Sequence, residues 1–166
     1  MSPNKLVSLG LARELVVIIT SALPILELRG GIPVAMALFD FPWYYALMLA
    51  VIGNLLPVPL ILLFLNSVIP LFSRVKFFDR FLSWLFERTR RRGRIIERYK
   101  RIGLILFVAI PLPVTGAWTG SLAAVLFGMR FRYAFLSILI GVLIAGIIVT
   151  CLSYFGLTLY GMWQQA

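Results

Sequence analysis

The chain has 166 residues, of which 61% are hydrophobic and 13% charged, and its mean hydropathy is +1.00. That excludes a water-soluble domain, which could not cover so much apolar surface, and predicts an all-α integral membrane protein with one membrane domain. The formal net charge is +10, and eleven of the 16 Lys and Arg residues crowd between Arg74 and Arg101.

The first residues carry Lys5 ahead of an apolar stretch, as a signal peptide would. Arg13 and Glu14 interrupt that stretch and no small-residue cleavage pattern follows, so the segment reads as part of the mature chain. Leu15–Leu26 and Gly30–Phe39 are uncharged runs of 12 and 10 residues, too short to span a bilayer. Between and around them lies Pro24-Ile-Leu-Glu-Leu-Arg-Gly-Gly-Ile-Pro33. Two prolines and the Gly30–Gly31 pair predict a broken helix, and lipid cannot satisfy the backbone groups such a break frees. The expected geometry is a re-entrant hairpin whose tip carries Glu27 and Arg29. An ionised residue at bilayer depth costs about 2.5–3.5 kcal/mol on insertion scales, which marks the pair as a candidate site. The bland alternative is a structural ion pair that fastens the hairpin.

Asp40, Pro42, Trp43 and Tyr44 then mark an interfacial turn, where aromatic rings favour the headgroup level. Phe41–Ser73 is uncharged over 33 residues and predicts a full span, kinked at Pro57 and Pro59. The kink is either plain packing or a way to set Asn54 and freed carbonyls in a polar cavity wall. Over Arg74–Arg101, Phe78, Phe81, Leu82 and Leu85 recur at helical spacing, and Arg88, Arg90, Arg91, Arg92, Arg94 and Arg98 follow. This predicts a basic amphipathic helix on the cytoplasmic face, either docked on anionic headgroups or serving only to orient the chain. Nucleic acid is not an expected partner in so apolar a chain.

Ile102–Met129 is again uncharged, but Pro111-Leu-Pro-Val-Thr-Gly-Ala-Trp-Thr-Gly120 splits it. The spacing predicts a second re-entrant hairpin with Thr115, Trp118 and Thr119 at its tip. The two hydroxyls and the free backbone N–H groups there suit an anion. Arg130 and Arg132 follow as orientation charges or a phosphate-collecting gate. Residues 133–166 form a second uncharged span, with Gly141, Ala145 and Gly146 for close helix contact and Cys151 expected in the core.

Two halves emerge, 6–73 and 101–166, joined by the basic linker 74–100. Placing Pro24 on Pro113 sets Gly31 on Gly120 and Ala35 on Ala124. After a one-residue gap, Leu38-Phe39 falls on Leu126-Phe127, Tyr45-Ala46 on Tyr133-Ala134 and Gly53 on Gly141. With the basic linker cytoplasmic, the second hairpin enters from the cytoplasm and the first from outside. The expected fold is therefore two inverted re-entrant helical hairpins, each followed by a transmembrane helix. Paired interrupted segments of this kind point to a transporter site at the midplane.

At the tips, Arg29 offers a planar fork matched to phosphate oxygens, while burial and the Arg29 charge pull the proton affinity of Glu27 in opposite directions. Histidine is absent, so no nucleophile–base pair, metal ligand set or cofactor motif is visible, and an enzyme is not expected. The candidate binding residues are Glu27, Arg29, Gly30, Gly31, Asn54, Thr115, Trp118, Thr119, Arg130 and Arg132.

Glu27-Leu-Arg-Gly-Gly-Ile-Pro33, Gly53-Asn54 with Pro57, and Pro111–Gly120 resemble the small multidrug export protein family, a branch related to the DedA (VTT-domain) superfamily. The resemblance implies an inner-membrane protein with inverted hairpins. For DedA relatives it implies proton-coupled flipping of polyprenyl phosphate carriers such as undecaprenyl phosphate, and for eukaryotic relatives lipid scrambling. By that analogy Glu27 and Arg29 match the acidic and basic tip residues, and Arg130 matches a basic residue after the second hairpin. A second acid at the first tip is missing unless Asp40 serves. The expected partners are membrane lipids, an anionic headgroup as substrate and a second copy of the chain in a homodimer. The rival functions are export of small cationic drugs and a non-transporting membrane scaffold.

Overall fold

The computed structural model describes residues 12–72, 93–112 and 115–164. Most of the basic stretch expected to form an amphipathic helix, residues 74–92, lies outside these. So do residues 1–11, Pro113 and Val114. The described residues form helices and turns and include no strand.

The first half opens with α1 (Arg13–Ala22), turns through Leu23–Leu26 and continues as α2 (Glu27–Leu38). Pro24 stops α1, because the residue before a proline is steered away from helix and Leu23 is extended at φ −73°, ψ 138°. The break therefore falls earlier than expected: Gly30, Gly31 and Pro33 all sit inside α2. Pro33 lies in the interior of α2, where it removes the bond to the Arg29 carbonyl. After a turn at Asp40, α3 (Trp43–Leu55) leads through Leu56 into α4 (Pro57–Phe72). The interruption falls at Pro57, where the sequence predicts a kink, and Leu56 between the two helices keeps helical angles (φ −56°, ψ −44°).

The second half is built in the same order. α5 (Gly93–Ala109) is followed by a turn, α6 (Ala117–Leu126) and α7 (Phe131–Gln164), a single helix of 34 residues. Trp43–Phe64 and Phe131–Leu159 are long and apolar enough to cross a membrane.

Small residues let these helices close on one another. A Cβ on Gly31 would lie 1.8 Å from Ser21 Oγ of α1, and one on Gly53 would lie 2.4 Å from the Ile18 carbonyl. In the second half, a Cβ on Gly120 would meet Val108 of α5 at 2.5 Å, and one on Gly141 would meet Val108 and the Ile105 carbonyl within 2.9 Å. The aligned glycines thus make equivalent contacts, each pair against the first arm of its own half.

The turns after the second arms also match. Asp40 (φ 54°) and Gly128 (φ 62°), which align, both take left-handed conformations. Phe41 N–H bonds the Ala35 carbonyl and Met129 N–H bonds that of Ala124, both at 3.0 Å. The one-residue gap in the alignment is absorbed within these turns.

Contacts along the long helices fix their directions. Arg101 of α5 stacks on Tyr133, and Val108 lies against Gly141, so α5 and α7 run parallel. Between the halves, Trp43 lies beside Tyr154 while Leu47 reaches Gly146, so α3 and α7 run antiparallel. The turn region of each helical pair meets that of the other. A shared core of Val16, Ile32, Ala50, Val108, Ile138 and Val142 fills the space between. Cys151, expected in this core, is instead exposed on the outer face of α7.

The glycine contacts carry a stability prediction. Gly53→Ala or Gly141→Ala forces backbone apart and should cost about 1–3 kcal/mol, read as a lower thermal midpoint in detergent. Gly103→Ala, in open space on α5, should be neutral or stabilising by up to about 1 kcal/mol.

Candidate functional site

The site forms where the two tips meet. Glu27 opens α2 in a left-handed conformation, φ 47°, uncommon for a residue with a side chain. Residues two apart on a regular helix diverge. This one irregular residue lets Glu27 and Arg29 line the same cavity, together with Asn54, Pro111, Gly116 and Val149. Glu27 is 7% exposed and Asn54 is 1% exposed, both inside an otherwise apolar wall.

Each charged group is taken by the opposite tip. Glu27 Oε1 accepts from the Trp118 backbone N–H at 3.5 Å, which puts the carboxylate at the N-terminus of α6. Unpaired N–H groups and the helix dipole favour an anion there, by about 0.3–2 kcal/mol. Gly116, just before α6, has φ 156° and ψ −163°, a region open essentially to glycine alone. A Cβ at Gly116 would lie 1.7 Å from Glu27 Oε2. The carboxylate therefore fills the space that the missing side chain leaves. Arg29 donates to the Thr115 carbonyl and reaches Thr115 Oγ1 at 3.5 Å. In the other direction, the Trp118 indole N–H donates to the Ala22 carbonyl at 3.0 Å, capping the end of α1.

The alignment that sets Pro24 on Pro113 also sets Glu27 on Gly116 and Arg29 on Trp118. The first pair of equivalent residues touch each other, and the second pair each reach across to a carbonyl of the other tip.

Several expected roles need correction. The Thr115 hydroxyl lies 2.7 Å from the Ile110 carbonyl and 3.0 Å from that of Leu112, and it accepts from the Leu112 N–H at 3.1 Å. The Thr119 hydroxyl donates to the Gly116 carbonyl at 3.4 Å. Both hydroxyls hold their own turn rather than standing ready for an anion. The N–H groups of α6 expected to be free already face Glu27. Gly30 and Gly31 serve packing: a Cβ on Gly30 would meet Leu26 at 2.8 Å, and Gly31 lies against Ser21. Arg130 and Arg132 are exposed at the start of α7, away from the tips. The roles of Gly116 and the Ala22 carbonyl were missed. Gly116 sits openly in the Thr-Gly-Ala-Trp sequence, but nothing local says whose side chain it admits.

Asn54 Oδ1 is buried with no partner among the described residues, and it faces a cavity of about 10 Å³. That is about the space one water needs. Among the described residues no group of His, Cys, Asp and Glu is arranged to hold a metal.

Long apolar helices together with buried charge at broken helix ends define a helical membrane protein. Residues 27–148 match the model of the family described as "Putative small multi-drug export protein", and the chain belongs to that family. No curated protein and no solved structure matches the chain.

The tip contact makes a non-additivity prediction. Gly116→Ala drives a Cβ into the Glu27 carboxylate and should lower the thermal midpoint sharply. In Glu27→Ala/Gly116→Ala part of that loss should return, with a coupling of about 1 kcal/mol or more. Strictly additive effects would mean that the tips do not touch.

Proposed function

We propose that the protein is a transporter that moves an anionic lipid-linked phosphate, such as a polyprenyl phosphate, across the bilayer. On this reading the helical pairs are re-entrant hairpins entering from opposite faces, and the halves are an inverted repeat. The observation that carries it is the polar contact between the tips, set behind tips whose outer surface is apolar. Ile25 is 91% exposed and Leu112 55%, while Glu27 faces inward at 7%. A turn bathed in water has no cause to show isoleucine outward and hide its carboxylate. Within hydrocarbon that arrangement follows from the cost of unpaired polar groups.

The donors that now hold Glu27 are those a phosphate would use. A phosphate carries anionic oxygens for the N–H groups of α6 and matches the Arg29 fork. The headgroup therefore competes with the Glu27 carboxylate, which on displacement is the group available to exchange a proton. A cavity of about 10 Å³ cannot take a phosphate, so the tips must part to admit it. Breaking their hydrogen bonds then couples entry of the headgroup to movement of one hairpin against the other.

The family description favours a second reading, export of small cationic drugs. There Glu27 binds the cation and Arg29 is dispensable. Flipping of a fluorescent lipid-linked phosphate in proteoliposomes separates the two. Glu27→Gln and Arg29→Ala should each slow it at least about tenfold while the protein remains folded. Unimpaired flipping in both variants would contradict the proposal. Drug efflux that needs Glu27 alone would establish the rival.

A further inference from the structure

A second polar site lies at the open end of the second helical pair, away from the tips. Lys100, Arg101 and Arg130 line one recess of about 40 Å³ with Gly128, Met129 and Tyr133. No acid lines it. Lys100 and Arg130 bring two positive charges to one recess, and a bound anion would relieve their repulsion.

Two of the three are already held in place. Lys100 Nζ donates to the Phe127 carbonyl at 2.9 Å, which closes the pair between α5 and the end of α6. An ammonium has three donors, so two remain for a ligand. The Arg101 guanidinium lies 4.1 Å from the centre of the Tyr133 ring, a cation–π geometry that fixes its plane. Arg130 is exposed beside them. Side chains ordered in advance lose less freedom on binding, which separates this recess from scattered surface charge.

The surface beyond the recess is apolar. Ile102 and Leu106 on α5 and Leu136 and Ile140 on α7 are all exposed. They run from the charged recess toward the tips, along the direction in which α5 and α7 are parallel.

We propose that Lys100, Arg101 and Arg130 form a binding site for a phosphate-bearing headgroup, with the lipid chains lying on the adjoining apolar helix faces. The site rests on the reading that the protein lies in a bilayer and handles anionic lipid, and it adds a docking position distinct from the tips. A single phosphate suits it better than a diffuse anionic surface, because the Arg130 fork and the Lys100 ammonium border one small volume.

Native mass spectrometry of the purified full chain tests this, comparing retention of phosphatidic acid with that of phosphatidylcholine. The wild-type protein should retain phosphatidic acid preferentially. Arg130→Gln and Lys100→Gln should each reduce that retention by about tenfold, the worth of one charge-assisted hydrogen bond. Arg132→Gln makes the same change of charge two residues from Arg130 but outside the recess, and it should leave retention as it was. Inorganic phosphate separates two sources of the same chemistry. Displacement of the lipid at millimolar phosphate shows that the recess reads the phosphate alone, and lack of displacement shows that it needs the attached chains. Equal retention of the two lipids, equal retention by the wild type and an Arg130→Gln/Lys100→Gln double variant, or an equal loss in Arg132→Gln would overturn the site. Those outcomes leave the tip account standing, since flipping by the Glu27 and Arg29 variants reads that account separately.

Discussion

A broken helix in a non-aqueous setting must find partners for the backbone groups it exposes, and here each break supplies the other. Glu27 faces the start of α6, Arg29 takes the Thr115 carbonyl and the Trp118 indole caps the end of α1. An isolated ion in a low-dielectric interior carries a penalty of several kcal/mol, and even a paired one needs hydrogen bonds to offset it. Setting a carboxylate against a helix N-terminus, and a guanidinium against a carbonyl, offsets much of that cost without pairing the two charges directly.

The remainder of the fold keeps the tips together. Gly53 and Gly141 bring α3 and α7 against the backbone of the first arm in their own halves, and Gly31 and Gly120 let the second arms close on the Ser21 and Val108 side chains. Left-handed residues at Asp40 and Gly128 then turn the chain into α3 and α7, which run antiparallel. Equivalent devices at equivalent positions give two similar arms whose tips meet with Glu27 against its own counterpart, Gly116. At the tips the asymmetry lies in the side chains. One tip brings the carboxylate and the other the space for it.

Much of this could be read from the residues. The helical class, the two interrupted segments and the two long apolar helices follow from apolar run lengths and from the placement of proline. The positions of the breaks did not follow. Gly30–Gly31 looked like the break because glycine is a poor helix former, yet tertiary packing against Ser21 and Leu26 outweighed propensity. The fate of Thr115 and Thr119 was hidden for a similar reason. A hydroxyl near a broken helix end bonds the nearest carbonyl, and only coordinates show which carbonyl that is. Partner choice across 86 to 91 residues, as between Arg29 and Thr115 or Glu27 and Trp118, leaves no trace in local sequence. Cys151 was placed in the core on residue type alone, but a lipid-facing helix surface is as apolar as a core.

The opposed entry of the two arms is best tested by labelling single cysteines from one side of sealed, oriented vesicles. In a Cys151→Ser background, Pro42→Cys marks the open end of the first arm pair and Arg132→Cys that of the second, and both positions are exposed. A membrane-impermeant thiol reagent added outside should label one and spare the other, with the pattern reversed when it is confined to the lumen. Labelling of both from the same side would contradict the arrangement, and with it the meeting of two tips inside the membrane.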